Sequence, residues 1–377
     1  MKSISLTKIF FIGALVVLGF FLPQTSIAQE IHNAYQGTWK AKVVEVIGER
    51  YENLFDTDLL VQTLSIEMLQ GPEKGSIFEI ENDFQAFKKG NRVYVNHNIF
   101  ADGQESYMII NVARQGALFL LVGIFVFTVI LFGRWQGVRS LMALVASFVA
   151  ILYVLIPGIL SGWNPLFASF LVAGAILFAA IFFTHGFNRE SAVAYTGTMI
   201  AVVLSGLFAI FAVHITKLTG FAAEEAVYLN FNTGGEINFT ALLLGAFIIG
   251  FLGVLDDISI TQSAVVTELY ASNPDITQRE VFTRAMRVGR EHVGALVNTL
   301  VLAYTGASLP LLLYFNGSSA SFAATVNLEI FATEIVRIIV GSIGLILTVP
   351  IVTLLAVTYL KGYKSKHGHH HGHGHSH

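Results

Sequence analysis

The sequence predicts a polytopic α-helical membrane protein of about seven transmembrane helices, carrying a small N-terminal extracytoplasmic β-rich domain. Three observations predict it. Of 377 residues, 54% are hydrophobic and 12% charged, roughly half the charged share of a soluble domain. From residue 117 onward, apolar runs near the ~20 residues that a helical span needs recur between short polar connections. In residues 30–113, by contrast, charge returns and the apolar runs shorten. The formal charge of −3 gives no argument for nucleic-acid binding, and the absence of cysteine excludes disulfides and thiol catalysis. Thirty-four glycines against seven prolines suit close helix packing.

Residues 1–28 have the form of a secretory signal. Lys2 and Lys8 precede the apolar run Ile9–Leu22, and Ser26-Ile27-Ala28 places small residues where cleavage occurs. An uncleaved first anchor is the alternative. Either way, the segment that follows is expected outside.

Residues 29–113 read as a small β-barrel domain, OB-like or SH3-like. Short β-rich runs occur at Lys42–Val46, Leu64–Leu69, Ile77–Ile80, Arg92–Val95 and Tyr107–Asn111. Gly48, Gly71-Pro72, Lys89-Gly90 and Asp102-Gly103 separate them as turn signals. No catalytic constellation stands out, and His32 and His97 read as surface or packing residues. The domain could guide a substrate or dock a protein partner.

The spans are expected at 117–133, 138–157, 165–184, 192–215, 239–260, 293–315 and 334–360. Charge supports this count. With the β domain outside, the inner connections carry Arg134, Arg139, Arg189, Arg279, Arg284, Arg287 and Arg290, then Lys361, Lys364 and Lys366. The outer connections carry Lys217 against Glu224, Glu225, Glu236 and Glu329. This places the C-terminus in the cytoplasm and the chain in the cell (inner) membrane. Trp163, Tyr228 and Tyr314 fall near the outer interfaces.

Asp256 and Asp257 are the first functional suspects. Ionised groups in hydrocarbon cost about 3 kcal/mol or more each, so such residues usually face a bundle interior or a water path. Counting back from Asp257 along a helix gives Gly253, Gly250 and Ala246, a small stripe expected to sit in a tight helix–helix contact. Asp256 continues a bulkier face with Leu252 and Ile249. Two adjacent carboxylates with restricted water do not both ionise freely, and reversible protonation is what a proton relay needs. The alternative is a pair that merely ends the span in solvent. Thr277 and Glu280 have capping-box spacing after the Asn273-Pro274 break, and Glu280–Arg284 and Arg287–Glu291 are spaced for ion pairs. Asn298, Thr305 and Ser308 recur at near-helical spacing on the next span, where Asn298 and Thr305 could support Asp257. Glu334 and Arg337 are spaced for a local ion pair near the outer surface.

Residues 117–360 resemble the YibE/F family of multipass membrane proteins, through GFLGVLDDISITQSAVVTEL, NPDITQREVF and RAMRVGREHVGALVNTLVLAYTGASLPLLL in that order. This implies the multipass fold and supplies no activity. A local resemblance, over residues 250–315, is to the Asp-Asp helix region of RND-type exporters. It implies Asp256 and Asp257 as proton-relay candidates. The chain departs from that superfamily in lacking a pair of large extracytoplasmic domains, a twelve-span repeat and a lysine deep in a span. The superfamily's protein-export branch keeps a shorter version of the pattern.

The tail carries His367, His369, His370, His371, His373, His375 and His377 among glycines. Dense imidazoles on such a chain bind Zn, Ni or Cu without fixed geometry. A native metal-binding tail and a dispensable one both fit. The functional expectation is a proton- or cation-coupled secondary transporter requiring no cofactor, with divalent metal as one substrate suggested by the tail. The alternative is a non-transporting scaffold or protein-export accessory. An enzyme is disfavoured, since no HExxH motif or Ser/His pair appears and adjacent aspartates on one helix point to different faces.

Overall fold

The structure, a computed structural model, describes residues 34–54, 57–83, 85–99, 105–316 and 321–362. The signal segment and the seven tail histidines lie outside the described residues.

The β unit is a five-stranded antiparallel sheet of order β3-β2-β1-β4-β5. Its strands are β1 (Ala34–Leu54), β2 (Thr57–Met68), β3 (Ile77–Asn82), β4 (Arg92–Ile99) and β5 (Glu105–Val112). The five expected runs fall one to a strand, with Leu69 just past β2. The 21-residue β1 is the spine. It pairs with β4 over Ala34–Lys42 and with β2 from Ala41 onward. Register shifts at Val43/Glu45 and Val46/Gly48 bend it, as bulges do. Trp39 explains two glycines: a Cβ on Gly37 or Gly71, both at positive φ, would lie 2.9 or 2.6 Å from its ring. The bent sheet wraps a core of Val43, Leu64, Ile66, Met68, Val93 and Val95.

The edge strands meet through side chains. Phe78 of β3 stacks on Tyr107 of β5 at 4.4 Å between centroids, and His97 stacks on Tyr107 at the same distance. Glu105 accepts a hydrogen bond from the Tyr107 hydroxyl (3.0 Å) and lies 3.3 Å from His97 Nε2. Burial, and then the bond to Glu105, push the Tyr107 phenol up to about 12. His97 is a buried packing residue.

Among the described residues, five helices are long and apolar enough to cross a membrane. They are α1 (Gln115–Leu160), α2 (Pro165–His185), α3 (Arg189–Thr216), α5 (Phe239–Ser272) and α9 (Glu329–Tyr359), with the short α4 (Glu224–Asn232) between α3 and α5. A sixth span arises if α6 (Gln278–Ala307) and α7 (Leu309–Asn316), bent by 61° at their junction, count as one; the short α8 (Phe322–Val326) follows them. The chain is therefore a polytopic membrane protein. Counting α6–α7 as the span expected at 293–315, the expected seven differ from the resulting six in one place. Residues 117–133 and 138–157 lie on the single helical run α1, whose backbone leaves helical geometry at Arg134 (φ 49°, ψ −134°). A π-helical turn, Ile151–Leu155, interrupts the same run further on.

Asn164, Asn188, Asn238 and Thr277 cap α2, α3, α5 and α6, each accepting a backbone N–H with its side chain. Glu280 pairs with Arg284, whereas Arg287 and Glu291 form no ion pair among the described residues. The core is built by α3, α5 and α9 at close approach. A Cβ on Gly344 would lie 2.4 Å from Ser205 Oγ, and one on Gly197 would lie 2.6 Å from Val352.

Candidate functional site

A membrane helix can hold a carboxylate only where some other surface shares it. α5 continues past the aspartates to Ser272, so the pair does not end the helix. One turn further the helix is tied on several sides. Ser259 is buried and receives a hydrogen bond from Thr198 of α3 (2.6 Å). Gln262 donates to Thr353 of α9 (2.7 Å) and to the Ala285 carbonyl of α6 (2.9 Å). Ser263 donates to the Glu190 carbonyl (3.2 Å), and Tyr270 donates to the Val357 carbonyl (2.9 Å). The aspartates thus stand on a rigid segment.

They face a cavity of about 430 Å³ between α1, α2 and α5. Asp256, Asp257 and Gly253 line it from α5, Thr184 and His185 from α2, and Ser140 and Ser147 from α1. The π turn adjoins it, with Ile151 in its wall. π turns inside helices often accompany functional sites.

His185 is the residue that sequence reasoning missed. It is the last residue of α2, where the Asn188 amide donates to its carbonyl (3.0 Å) and Gly186 at φ 85° turns the chain away. Its Nδ1 is buried without a partner among the described residues, and the ring lies within electrostatic reach of Asp257. A histidine in the final turn of an apolar helix, followed by glycine, was the available signal.

The small stripe is placed otherwise than expected. Ala246, Gly250, Gly253 and Asp257 are exposed, and a Cβ on Gly253 would have nothing within 4 Å. The bulky faces took the packing instead, with Phe247, Ile248, Phe251, Leu255 and Ile258 all buried. Lipid tails are as apolar as these side chains, so the gain is van der Waals contact between helices, of which large side chains make more than glycines do. Gly253 is left lining the cavity, while Gly250 is met by α6, where a Cβ would lie 3.1 Å from the Tyr304 hydroxyl.

Asn298 and Thr305 are not brought to the aspartates. α6 turns Leu300 inward, against Gly341 of α9 and beside Phe251 of α5. Asn298, two residues earlier, therefore points away and is exposed. Thr305 lines a second cavity, with Tyr304, Ser308 and Glu334. The expected Glu334–Arg337 pair is present at 2.7 Å and is partly buried. Arg337 also lies over the rings of Phe247 (5.6 Å) and Tyr304 (5.7 Å). Among the described residues no group of three His, Asp or Glu stands close enough to hold a metal ion.

No curated protein and no solved structure matched the chain. The profile of the family described as YibE/F-like protein does match it, over residues 121–362. That stretch takes in the aspartates, His185, both cavities and every span after the opening turns of α1, so the chain belongs to the YibE/F-like family.

Proposed function

We propose that the chain is a proton- or cation-coupled secondary transporter of the cytoplasmic membrane. Asp257 is its principal relay carboxylate, Asp256 the coupled partner, and His185 the group that exchanges protons with them across the cavity. The observation that carries this reading is the cavity itself, which opens among three apolar helices onto both carboxylates and an imidazole. Ionisable groups at membrane depth are costly, and ones that share a space mark ion or proton pathways. The fixed inner half of α5 holds the carboxylates in place while the cavity leaves them room to exchange protons.

The same reading extends to the architecture. The β unit is an OB-like barrel on the outer face, because closing β3 onto β5 would give the circular order 1-2-3-5-4. The break at Arg134 divides α1 into two spans, since its 46 residues would reach about 69 Å, over twice the hydrocarbon thickness. With α6 and α7 as one broken span, the total is seven and the C-terminus lies in the cytoplasm.

The test uses full-length protein in liposomes with an imposed pH gradient, challenged in turn with alkali, divalent and organic cations. One class should speed the decay of the gradient, and Asp257→Asn should cut that effect at least tenfold at matched protein content. His185→Gln should slow it and change its dependence on pH. If no class alters the decay, or if Asp257→Asn responds like the wild type, the transporter reading fails.

A further inference from the structure

The second cavity, of about 670 Å³, lies where α6 breaks into α7. Its polar wall is compact: Tyr304 and Thr305 come from the last turn of α6, Ser308 caps it, and Glu334 comes from α9. The rest of the lining is apolar and aromatic, including Leu312, Phe315 and Phe331. Thr299, earlier on α6, donates to the carbonyl of Ala295 in the usual helical way (3.0 Å). The hydroxyls of Tyr304, Thr305 and Ser308 have no hydrogen-bond partner among the described residues. Glu334 gives one carboxylate oxygen to Arg337, and its other oxygen is without a partner there.

Three features make this wall attractive to positive charge. The first is the unpaired oxygen of Glu334. The second is the carbonyl end of α6, which carries the negative pole of the helix dipole. Pro310, lacking an N–H, cannot serve the Gly306 carbonyl, which receives the Ser308 N–H instead and keeps its second lone pair. The third is the set of aromatic faces, Tyr304, Phe315 and Phe331, with Phe315 and Phe331 at 4.8 Å. Arg337 does not line the cavity; its guanidinium is held by Glu334 and two rings. Broken membrane helices expose backbone carbonyls in this way at transporter substrate sites.

We infer that the cavity between α6, α7, α8 and α9 binds a small amphipathic organic cation, its ammonium group on Glu334 and the α6 carbonyl end, its apolar body among the α7 and α8 side chains. As a substrate site this rests on the transporter reading; as a binding site it stands alone. The two cavities share no lining residue, so cation and proton occupy different places.

The experiment is equilibrium binding of dansylcadaverine to the full-length protein in phosphatidylcholine–phosphatidylglycerol nanodiscs, read by dansyl fluorescence. The uncharged N-acetyl derivative serves as the matched probe. The cation should bind at least tenfold more tightly than the uncharged probe. Glu334→Gln should erase that preference, and Leu312→Trp should block both probes by filling the cavity. Equal affinity for the two probes, or cation binding that survives both cavity substitutions, would overturn the proposal. So would loss of binding when phosphatidylethanolamine replaces phosphatidylglycerol, because a lipid headgroup would then own the site. Leu312→Trp and the wild-type probe pair decide the matter even if Glu334→Gln fails to fold. Binding with no proton flux would refute only the transporter reading; flux with no cation preference would refute only this site.

Discussion

Asp256 and Asp257 share a helix and a cavity, yet only Asp256 is partly covered by neighbouring side chains. Two carboxylates in different surroundings suit two roles, one exchanging protons and one biasing that exchange. The pair was legible in the sequence because acids adjoining an apolar run are rare. His185 was not, because its partner residues are distant in the chain and only the α2–α5 packing brings them together. In the β unit, Tyr107 gives a prediction that can be worked in sign. Its folded-state value of about 12 lies above the ~10 of an unfolded tyrosine. Its contribution to stability is therefore fully present below about pH 10 and is lost as pH rises through the folded value. Ultraviolet titration of the full chain should show one phenol still protonated at pH 11 that is missing in Tyr107→Phe. A difference spectrum with no late-ionising phenol would show that the Phe78–Tyr107–His97 stack is open to water.

At the scale of the element, α5 shows why counting along a helix located the aspartates and misjudged their surroundings. Periodicity gives faces, and it does not say which face a neighbour will choose. Small residues permit close approach, but large ones reward it, and on α5 the large faces won. Close approach does occur at other glycines, and the difference is measurable. A Cβ on Gly245 would fall 2.3 Å from Ser169 Oγ and 3.2 Å from the Pro165 carbonyl, which is backbone and cannot swing aside. Gly245→Ala should therefore cost about 1–3 kcal/mol through overpacking. Gly253→Ala, with open space around it, should be neutral or gain up to about 1 kcal/mol of helix propensity. Thermal unfolding of the two variants in one detergent checks this; equal midpoints would mean that α2 and α5 do not meet as described. The ties of Thr198 to Ser259 and Gln262 to Thr353 were beyond sequence reasoning for the same reason, since nothing local announces a partner on another helix.

For the whole molecule, composition was enough to read a polytopic membrane protein with a β-rich domain ahead of it, and turn residues were enough to place five strands. The number of crossings was harder, because hydropathy measures length and not direction. A helical run broken at Arg134 and a helix bent beside Pro310 can each be one span or something else. The chain has no cysteine, so single introduced cysteines and a membrane-impermeant maleimide can separate the cases in intact cells and in permeabilised ones. Three positions suffice: Glu67 in the β domain, Arg134 and Lys361. With seven spans, Glu67→Cys reacts in intact cells, while Arg134→Cys and Lys361→Cys react only after permeabilisation. If α1 crosses once and α6–α7 crosses once, there are six spans; Lys361→Cys then reacts on the same side as Glu67→Cys, and Arg134→Cys lies in hydrocarbon and is silent. If α1 crosses once and α6–α7 folds back, there are five, Lys361→Cys is inside and Arg134→Cys is again silent. If α1 crosses twice and α6–α7 folds back, Arg134→Cys reacts from the inside while Lys361→Cys reacts from the outside. We expect the seven-span pattern, which alone places Arg134, Arg139 and the arginines of α6 together on the cytoplasmic face with Lys361. A fold-back of α6–α7 would also put the second cavity within reach of one side of the membrane only, so the labelling result bears directly on how an organic cation could enter and leave it.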